Sequence, residues 1–203
     1  MAAEPRESNP LWVRPSAAEG GRFSATAVET VGTRIAITTA VDMAALGSAL
    51  HLCIAHSGTN RTLDAAGIQR VLTKWGVEQA VQAGAVLGQV VALRTWLESR
   101  WPGAPVLSEV PIEVDLPDGR RLRGQIDLLV DSPGGWVLLD HKADPRSAAN
   151  DHRVAQLHGP QLSAYALALA RATGRPVLEQ WLFMPVAAQA VRVGDEFVVP
   201  AVA

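Results

Sequence analysis

Two apolar runs joined by a tight turn, in the segment 123–144, constrain the fold of this chain more than any other feature. Residues 128–130 and 137–139 are apolar on successive positions, which is typical of strands that are buried on both faces. A Pro-Gly-Gly sequence at 133–135 supplies the turn between them. The segment is therefore predicted to be a β-hairpin inside a sheet that is covered on both sides.

The register of this hairpin brings charged residues together. If the turn is centred on the Pro-Gly pair at 133–134, Asp127 lies directly opposite Asp140. Residues that are directly opposite have Cβ atoms roughly 4.5–5.5 Å apart and point to the same face. Lys142 follows Asp140 by two positions and shares that face, and Gln125 lies opposite Lys142.

Two carboxylates so close together, among apolar residues, call for a cation. Buried and unpaired they would repel each other at a high cost in free energy. Oxygen ligands of this kind suit Mg²⁺ or Mn²⁺, and Lys142 beside Asp127 and Asp140 can orient a water or stabilise charge on a phosphate. The cluster therefore indicates phosphodiester hydrolysis. The alternative is a surface hairpin whose two aspartates pair with arginines at its rim.

The remaining sequence predicts an α/β domain. Residues 1–40 show no sustained period and are predicted to be a lead-in, extended or partly disordered, before a single domain over 41–203. Its helical part, 41–101, contains three predicted helices, at 43–56 (capped by Asp42), 63–75 and 77–101. Its sheet core, 106–203, contains strands at 110–116, 121–131, 135–143 and 177–186, a possible edge strand at 192–200, and a helix with Pro160 in its first turn and Gly174 just past its end.

Composition limits how the chain can bind a substrate. The formal net charge is −2 and the pI about 6.2, which is a poor match for a domain that holds DNA by bulk charge. The densest basic cluster is Arg120, Arg121 and Arg123.

Cys53 is the one cysteine, so neither an intramolecular disulfide nor a cysteine-ligated cluster can form. The chain has no secretory signal or membrane-spanning run, and a cytoplasmic location is expected. Most of the six tryptophans are expected in the core.

Five short motifs follow one another along the chain: Gly47-x-x-x-His51, the early Glu109, Gly124-x-x-Asp127, Asp140-x-Lys142 and Gln161-x-x-x-Tyr165. In kind and order they resemble the motifs of the RecB-type branch of the PD-(D/E)XK nuclease superfamily. Over residues 40 to 185 the chain most resembles the C-terminal nuclease domain of AddA-type helicase–nucleases. The resemblance implies a restriction-endonuclease-like core, a mixed β-sheet flanked by helices, with an N-terminal helical segment.

The resemblance also implies a role for each motif residue. His51, Asp127, Asp140 and the backbone carbonyl of His141 would be ligands of Mg²⁺ or Mn²⁺. Lys142 would be the catalytic lysine. The residues implied to orient groups around the metal or to support the site and contact DNA are Glu109, Gln161 and Tyr165.

The expected function is metal-dependent DNA hydrolysis, most simply as an exonuclease. The resemblance implies a nuclease module of a helicase–nuclease that processes broken DNA ends, with a single strand or broken duplex end as substrate. No nucleotide-binding Gly-x-x-x-x-Gly-Lys-Ser/Thr motif occurs, so a helicase motor is expected elsewhere in the same polypeptide or complex. Two alternatives stay open: a catalytically silent DNA-binding module, and a stand-alone endonuclease of defence type.

Overall fold

The computed structural model describes residues 12–56, 63–146 and 153–195. In chain order the first half contains β1 (Trp12–Val13), a 3-10 helix (Pro15–Ala17), β2 (Phe23–Thr30), α1 (Met43–Ala55), α2 (Ala65–Lys74) and α3 (Ala83–Arg100). The second half contains β3 (Val106–Asp115), β4 (Arg121–Ser132), β5 (Gly135–His141), α4 (Arg153–Thr173), β6 (Val177–Met184) and β7 (Gln189–Asp195). None of the described helices has the length and apolar character needed to cross a membrane.

The strands form one mixed sheet with helices on both faces. Its order is β1-β4-β5-β6-β7-β2, with β3 also paired to β4. β5 pairs parallel to β6, and β1 parallel to β4, while the other neighbours are antiparallel. Helices α1, α2 and α3 pack on one face, in a core that includes Leu128 and Leu139. Helix α4 packs on the other, in a core that includes Leu129 and Leu138. The predicted mixed sheet flanked by helices is confirmed.

The central hairpin has the predicted register. Leu128 pairs with Leu139, and the pairing continues to Ser132 and Gly135 around the turn. Successive side chains of a strand point to opposite faces of the sheet, so the buried residues of β4 and β5 contribute in turn to the core under α1–α3 and to the core under α4. The ladder stops at the Leu128–Leu139 pair. Both aspartates of the predicted site therefore lie just beyond the last paired residues, where the strands are free to separate.

The predicted lead-in contributes a strand to the sheet. β2 pairs antiparallel with β7 from Phe23 to Thr30, so the sheet extends across the predicted boundary at residue 40. β7 is consequently an interior strand between β6 and β2, and the prediction that it forms an edge is wrong for its described part, since residues 196–200 lie outside the described residues. In the β2 sequence, FSATAVET, the inward positions after Phe23 include the small residues Ala25 and Ala27. Small inward residues hide the apolar alternation that predicts strands.

Two helices begin elsewhere than predicted. α3 begins at Ala83, and the residues before it form turns that bury Val77 and Val81. α4 begins at Arg153, so Pro160 lies inside the helix and its predicted first-turn role is wrong. Proline removes one backbone hydrogen bond and usually breaks a helix. Here the apolar face of α4 continues across it, from Val154 to Leu162, and burial of that face holds both halves against the sheet.

A close approach between α4 and β2 gives a test of this packing. A Cβ on Gly159 would overlap the ring and the Cβ of Phe23. We therefore expect Gly159→Ala to destabilise the protein by about 1–3 kcal/mol through overpacking, which lowers the melting temperature by roughly 3–10 °C. The matched control is Gly88→Ala in α3, where the added methyl group meets nothing within 4 Å and helix propensity should gain about 1 kcal/mol. Thermal melts of the two variants should shift in opposite directions. An unchanged or higher melting temperature for Gly159→Ala would contradict the packing described here.

Candidate active site

An irregularity in the β3–β4 pair lies at the centre of the site. Ser108 pairs with Leu128 and Val110 with Ile126, but Glu109 and Asp127 between them are not paired. Glu109 has a φ of 54°, a left-handed conformation that is uncommon for residues other than glycine and that clusters at functional sites. Ile126 packs in the α4 core and Leu128 in the opposite core, although strict alternation would place both on one face. The interruption of strand pairing at Asp127 therefore changes the direction in which the Asp127 side chain points.

The carboxylate of Asp127 lies against the end of β5. It accepts a hydrogen bond from the backbone N–H of His141, at 2.7 Å. The Nδ1 atoms of His51 and of His141 each lie 3.7 Å from its Oδ2 atom. Burial raises the pKa of Asp127 above its ordinary value, and the charge of His51 and the hydrogen bond from His141 oppose that rise. This carboxylate is therefore a buried acceptor surrounded by nitrogen atoms.

Glu109 connects His51 to the sheet. His51, on α1, places its Nε2 atom 2.7 Å from Oε1 of Glu109. The other oxygen, Oε2, accepts a hydrogen bond of 2.7 Å from the side chain of Gln125. Burial raises the pKa of Glu109, and the neighbouring His51 opposes the rise. Because Glu109 contacts one ring nitrogen of His51, it orients the other toward Asp127.

Asp140, Lys142 and Gln161 form a closed network on the α4 side of the sheet. The Lys142 Nζ atom lies 2.6 Å from Oδ2 of Asp140, and it donates to Oε1 of Gln161 at 3.2 Å. The Gln161 side chain in turn donates to Oδ1 of Asp140 at 3.1 Å. Asp140 is only 3% exposed. Burial and the charge of Asp127 raise its pKa, and Lys142 opposes the rise. Each member holds the other two in place.

Tyr165 fixes the backbone of β4 beside the site. One helical turn after Gln161, its hydroxyl donates to the Gln125 carbonyl at 2.7 Å and accepts from the Gln125 N–H at 3.3 Å. A Cβ on Gly124 would lie 2.8 Å from the Tyr165 ring and 2.9 Å from Pro15. The glycine of the Gly-x-x-Asp motif therefore allows the tyrosine and the 3-10 helix to approach the strand. Tyr165 acts on the strand that carries Asp127.

A metal ion fits the three residues that meet at the end of β5. Ligand atoms of His51, Asp127 and His141 all lie within 4.8 Å of one another. The His141 side chain is only 4% exposed, and neither of its ring nitrogens has a hydrogen-bond partner among the described residues. Burial lowers the pKa of His141 to about 3, so the ring is neutral and keeps a free lone pair. A buried polar group without a partner requires an explanation, and ligation supplies one.

The structure thus divides the residues that the sequence analysis predicted as one ligand set. Asp127 and His51 lie in the three-residue cluster, whereas Asp140 is held by Lys142 and Gln161. His141, expected to contribute its backbone carbonyl, brings its side chain into the cluster as well. Strand alternation could have predicted this position of the His141 side chain. A residue next to Asp140 in a strand points to the opposite face of the sheet, which here is the face toward α1.

The chain is similar in sequence to a nuclease family and to curated helicase/nuclease subunits. Residues 21–201 match the family model of the PD-(D/E)XK nuclease superfamily. The chain is 27% identical over 157 residues to an ATP-dependent helicase/nuclease subunit of Desulforamulus reducens, covering 68% of this chain and 12% of that protein. It is 29% identical over 161 residues to the subunit of the same name from Desulforudis audaxviator, covering 69% and 13%. The chain spans about an eighth of the length of these relatives. On its motifs, its fold and this match, the chain belongs to the PD-(D/E)XK nuclease superfamily.

Proposed function

We propose that this chain is a metal-dependent nuclease domain that hydrolyses phosphodiester bonds of DNA during the processing of broken ends. The observation that carries the proposal is the Asp140–Lys142–Gln161 network, in which the buried Asp140 holds Lys142. The network adjoins the His51–Asp127–His141 cluster, because Asp140 and His141 are neighbours in β5. Lys142 places a positive charge where a phosphate would need one. All of the charged motif residues are present, and this argues against the alternative of a catalytically silent module, which would lack the aspartate or the lysine.

The residues of the site have separable tasks. His51, Asp127 and His141 would hold the cation, with Glu109 orienting His51. A divalent ion bound there would polarise the phosphoryl oxygen and make a neighbouring water more acidic. Lys142, held in place by Asp140, is suited to orient the attacking water and to stabilise the negative charge that builds on the phosphate. Water attack would then form a new P–O bond and break the bond to the leaving sugar oxygen. The attacking water would release one proton to solvent, and the leaving oxygen would take one up from solvent.

The donor set favours Mn²⁺ over Mg²⁺. Mg²⁺ prefers oxygen ligands and keeps several waters, whereas imidazole nitrogen suits transition-metal ions. Two of the three clustered ligands are histidines. We therefore propose that the ion is Mg²⁺ or Mn²⁺, with the higher affinity for Mn²⁺.

Metal dependence is the direct test of this function. We expect the purified chain to degrade linear DNA with Mn²⁺, more slowly with Mg²⁺ at the same concentration, and not at all with EDTA. Asp127→Asn, purified in parallel, controls for contaminating nucleases. Closed circular DNA should persist if the enzyme is an exonuclease, and rapid cutting of circles would support the stand-alone endonuclease instead. Equal cleavage with and without EDTA would reject the proposal.

We also propose that a helicase motor supplies the substrate, in the same polypeptide or in a complex. Two observations support this: the relatives are named as ATP-dependent helicase/nuclease subunits, and this chain spans only a small share of their length. The net charge of −2 fits a domain that relies on a linked partner for DNA, because tethering raises the local substrate concentration without new contacts. A cytoplasmic location stays a prediction.

A further inference from the structure

A cleft extends from the site along the segment that precedes β2. It has a volume of about 740 Å³, and its lining includes Trp12, Arg14, Arg123, Gln125, Gln161 and Tyr165. Gln161 also contacts Lys142 and Asp140, so the cleft begins at the catalytic network. β1 forms its far wall, because Trp12 and Val13 pair with Arg121 and Leu122 of β4.

The charge of the cleft is positive although the chain as a whole is acidic. Arg14 and Arg123 are exposed in it, and within the described residues neither forms an ion pair. Their neighbours differ, since Arg120 pairs with Asp118 and Arg121 with Asp115. None of the described lining residues is acidic. Glu113 lies opposite Arg123 in the β3–β4 ladder but forms its ion pair with Arg121. Two arginines that form no ion pair with the described residues, beside a site for phosphodiester hydrolysis, are suited to bind phosphate groups.

Trp12 adds an aromatic surface to this cleft. Its side chain is 46% exposed, on a strand of only two residues. The guanidinium carbons of Arg121 and Arg123 each lie 5.8 Å from the centre of its ring, which is within the range of cation–π attraction. The arginines therefore hold the ring in place while much of it stays accessible. An accessible, immobilised indole beside phosphate-binding arginines is the combination with which proteins bind unpaired bases.

We propose that Trp12, Arg14 and Arg123 form a subsite for an unpaired nucleic-acid strand, in which one base stacks on Trp12 and adjacent phosphates contact the two arginines. A base in a duplex has both faces covered by its neighbours, so the subsite selects single strands over duplexes. The inference rests on the proposed nuclease function, because Gln161 joins the subsite to the reacting phosphate. It assigns to the segment before β2 a part in substrate binding.

Binding measurements without cleavage test the subsite. Fluorescence anisotropy in EDTA compares a labelled oligothymidylate, an oligouridylate and a blunt DNA duplex of equal length. We expect Trp12→Ala to weaken single-strand binding roughly 10- to 100-fold, with Trp12→Phe retaining most of the affinity and the duplex affected little. Arg123→Gln should reduce the salt slope by about 0.7, the value for one phosphate of a single strand. Arg94→Gln, on α3 at the opposite face of the sheet, is the charge-matched control and should change nothing. The oligouridylate arm reports whether the strand is restricted to DNA.

The outcomes separate the subsite from the nuclease function. Single-strand affinity unchanged in both Trp12→Ala and Arg123→Gln, in proteins that melt at the wild-type temperature, would overturn the subsite even if the enzyme cuts DNA. Equal losses for single strands and duplexes would overturn the selectivity. Selective loss of single-strand binding by a protein that cuts nothing with Mn²⁺ would support the subsite and reject the nuclease. A rise in KM for short single strands in Trp12→Ala, with kcat unchanged, would support both.

Discussion

Lys142→Met is expected to slow DNA cleavage about 10²- to 10³-fold, the usual effect of removing one preorganised charge from an active site. Lys142 is the cation of the network, with its Nζ atom 2.6 Å from Asp140 and within hydrogen-bond distance of Gln161. Methionine keeps the length of the side chain and removes the charge. Single-turnover cleavage of a labelled linear substrate, at saturating Mn²⁺ and at enzyme concentrations that bind all of the DNA, measures cleavage of bound substrate, so weaker DNA binding cannot imitate the loss.

Stability measurements distinguish this catalytic role from a structural one. In Lys142→Met the buried Asp140 loses its counter-ion, and the variant should lose up to about 3 kcal/mol of stability. Burial already raises the pKa of Asp140, and without Lys142 its folded-state pKa rises further. A carboxyl whose folded-state pKa exceeds its unfolded value favours folding at low pH and loses that contribution as pH rises. The deficit should therefore shrink in acid and grow toward neutral pH.

The double variant Asp140→Asn/Lys142→Met completes the test. It removes both charges and keeps the shape of the network, so it should recover most of the lost stability and none of the activity. Circular dichroism and thermal melts verify the fold of each protein. Cleavage at the wild-type rate in either the single or the double variant would remove Lys142 from the mechanism.

His141→Leu is expected to make the protein at least as stable as the wild type while lowering its affinity for Mn²⁺ by more than about 100-fold, beyond the 10- to 100-fold usual for groups that only support a ligand. The histidine ring is buried, and within the described part of the chain both of its nitrogens lack hydrogen-bond partners. Replacing an unsatisfied polar ring by an apolar side chain removes a desolvation cost. The same change removes a ligand from the His51–Asp127–His141 cluster. A variant that keeps or gains stability but loses Mn²⁺ affinity would identify His141 as a metal ligand that the fold does not require.

Titration of Mn²⁺ followed by its electron paramagnetic resonance signal measures this affinity directly, without an activity assay. Asp127→Asn should lose binding as well, and Glu113→Gln, an exposed carboxylate on β3, should not. Affinity in the wild type should fall as pH falls, because the raised pKa of Asp127 lets protons compete with the ion at higher pH than at an ordinary aspartate. Unchanged Mn²⁺ affinity in His141→Leu would show that the side chain is not a ligand.

The sequence by itself determined the central hairpin. Two apolar runs flank the Pro-Gly-Gly turn, and the turn sets which residues pair, so Leu128 lies opposite Leu139. The start of α1 was determined in the same local way, because Asp42 accepts hydrogen bonds from the first turn of that helix. Such features depend on residues that are close in sequence.

Tertiary structure alone decided how the motif residues are grouped. The β4–β5 ladder ends at Leu128, and the left-handed backbone at Glu109 accompanies the break at Asp127. Asp127 consequently joins two histidines, while Asp140 joins Lys142 and Gln161. The addition of β2 beside β7 and the passage of α4 through Pro160 were decided in the same way. In each case the free energy comes from burial against residues distant in the chain, and it exceeds a local preference that points elsewhere.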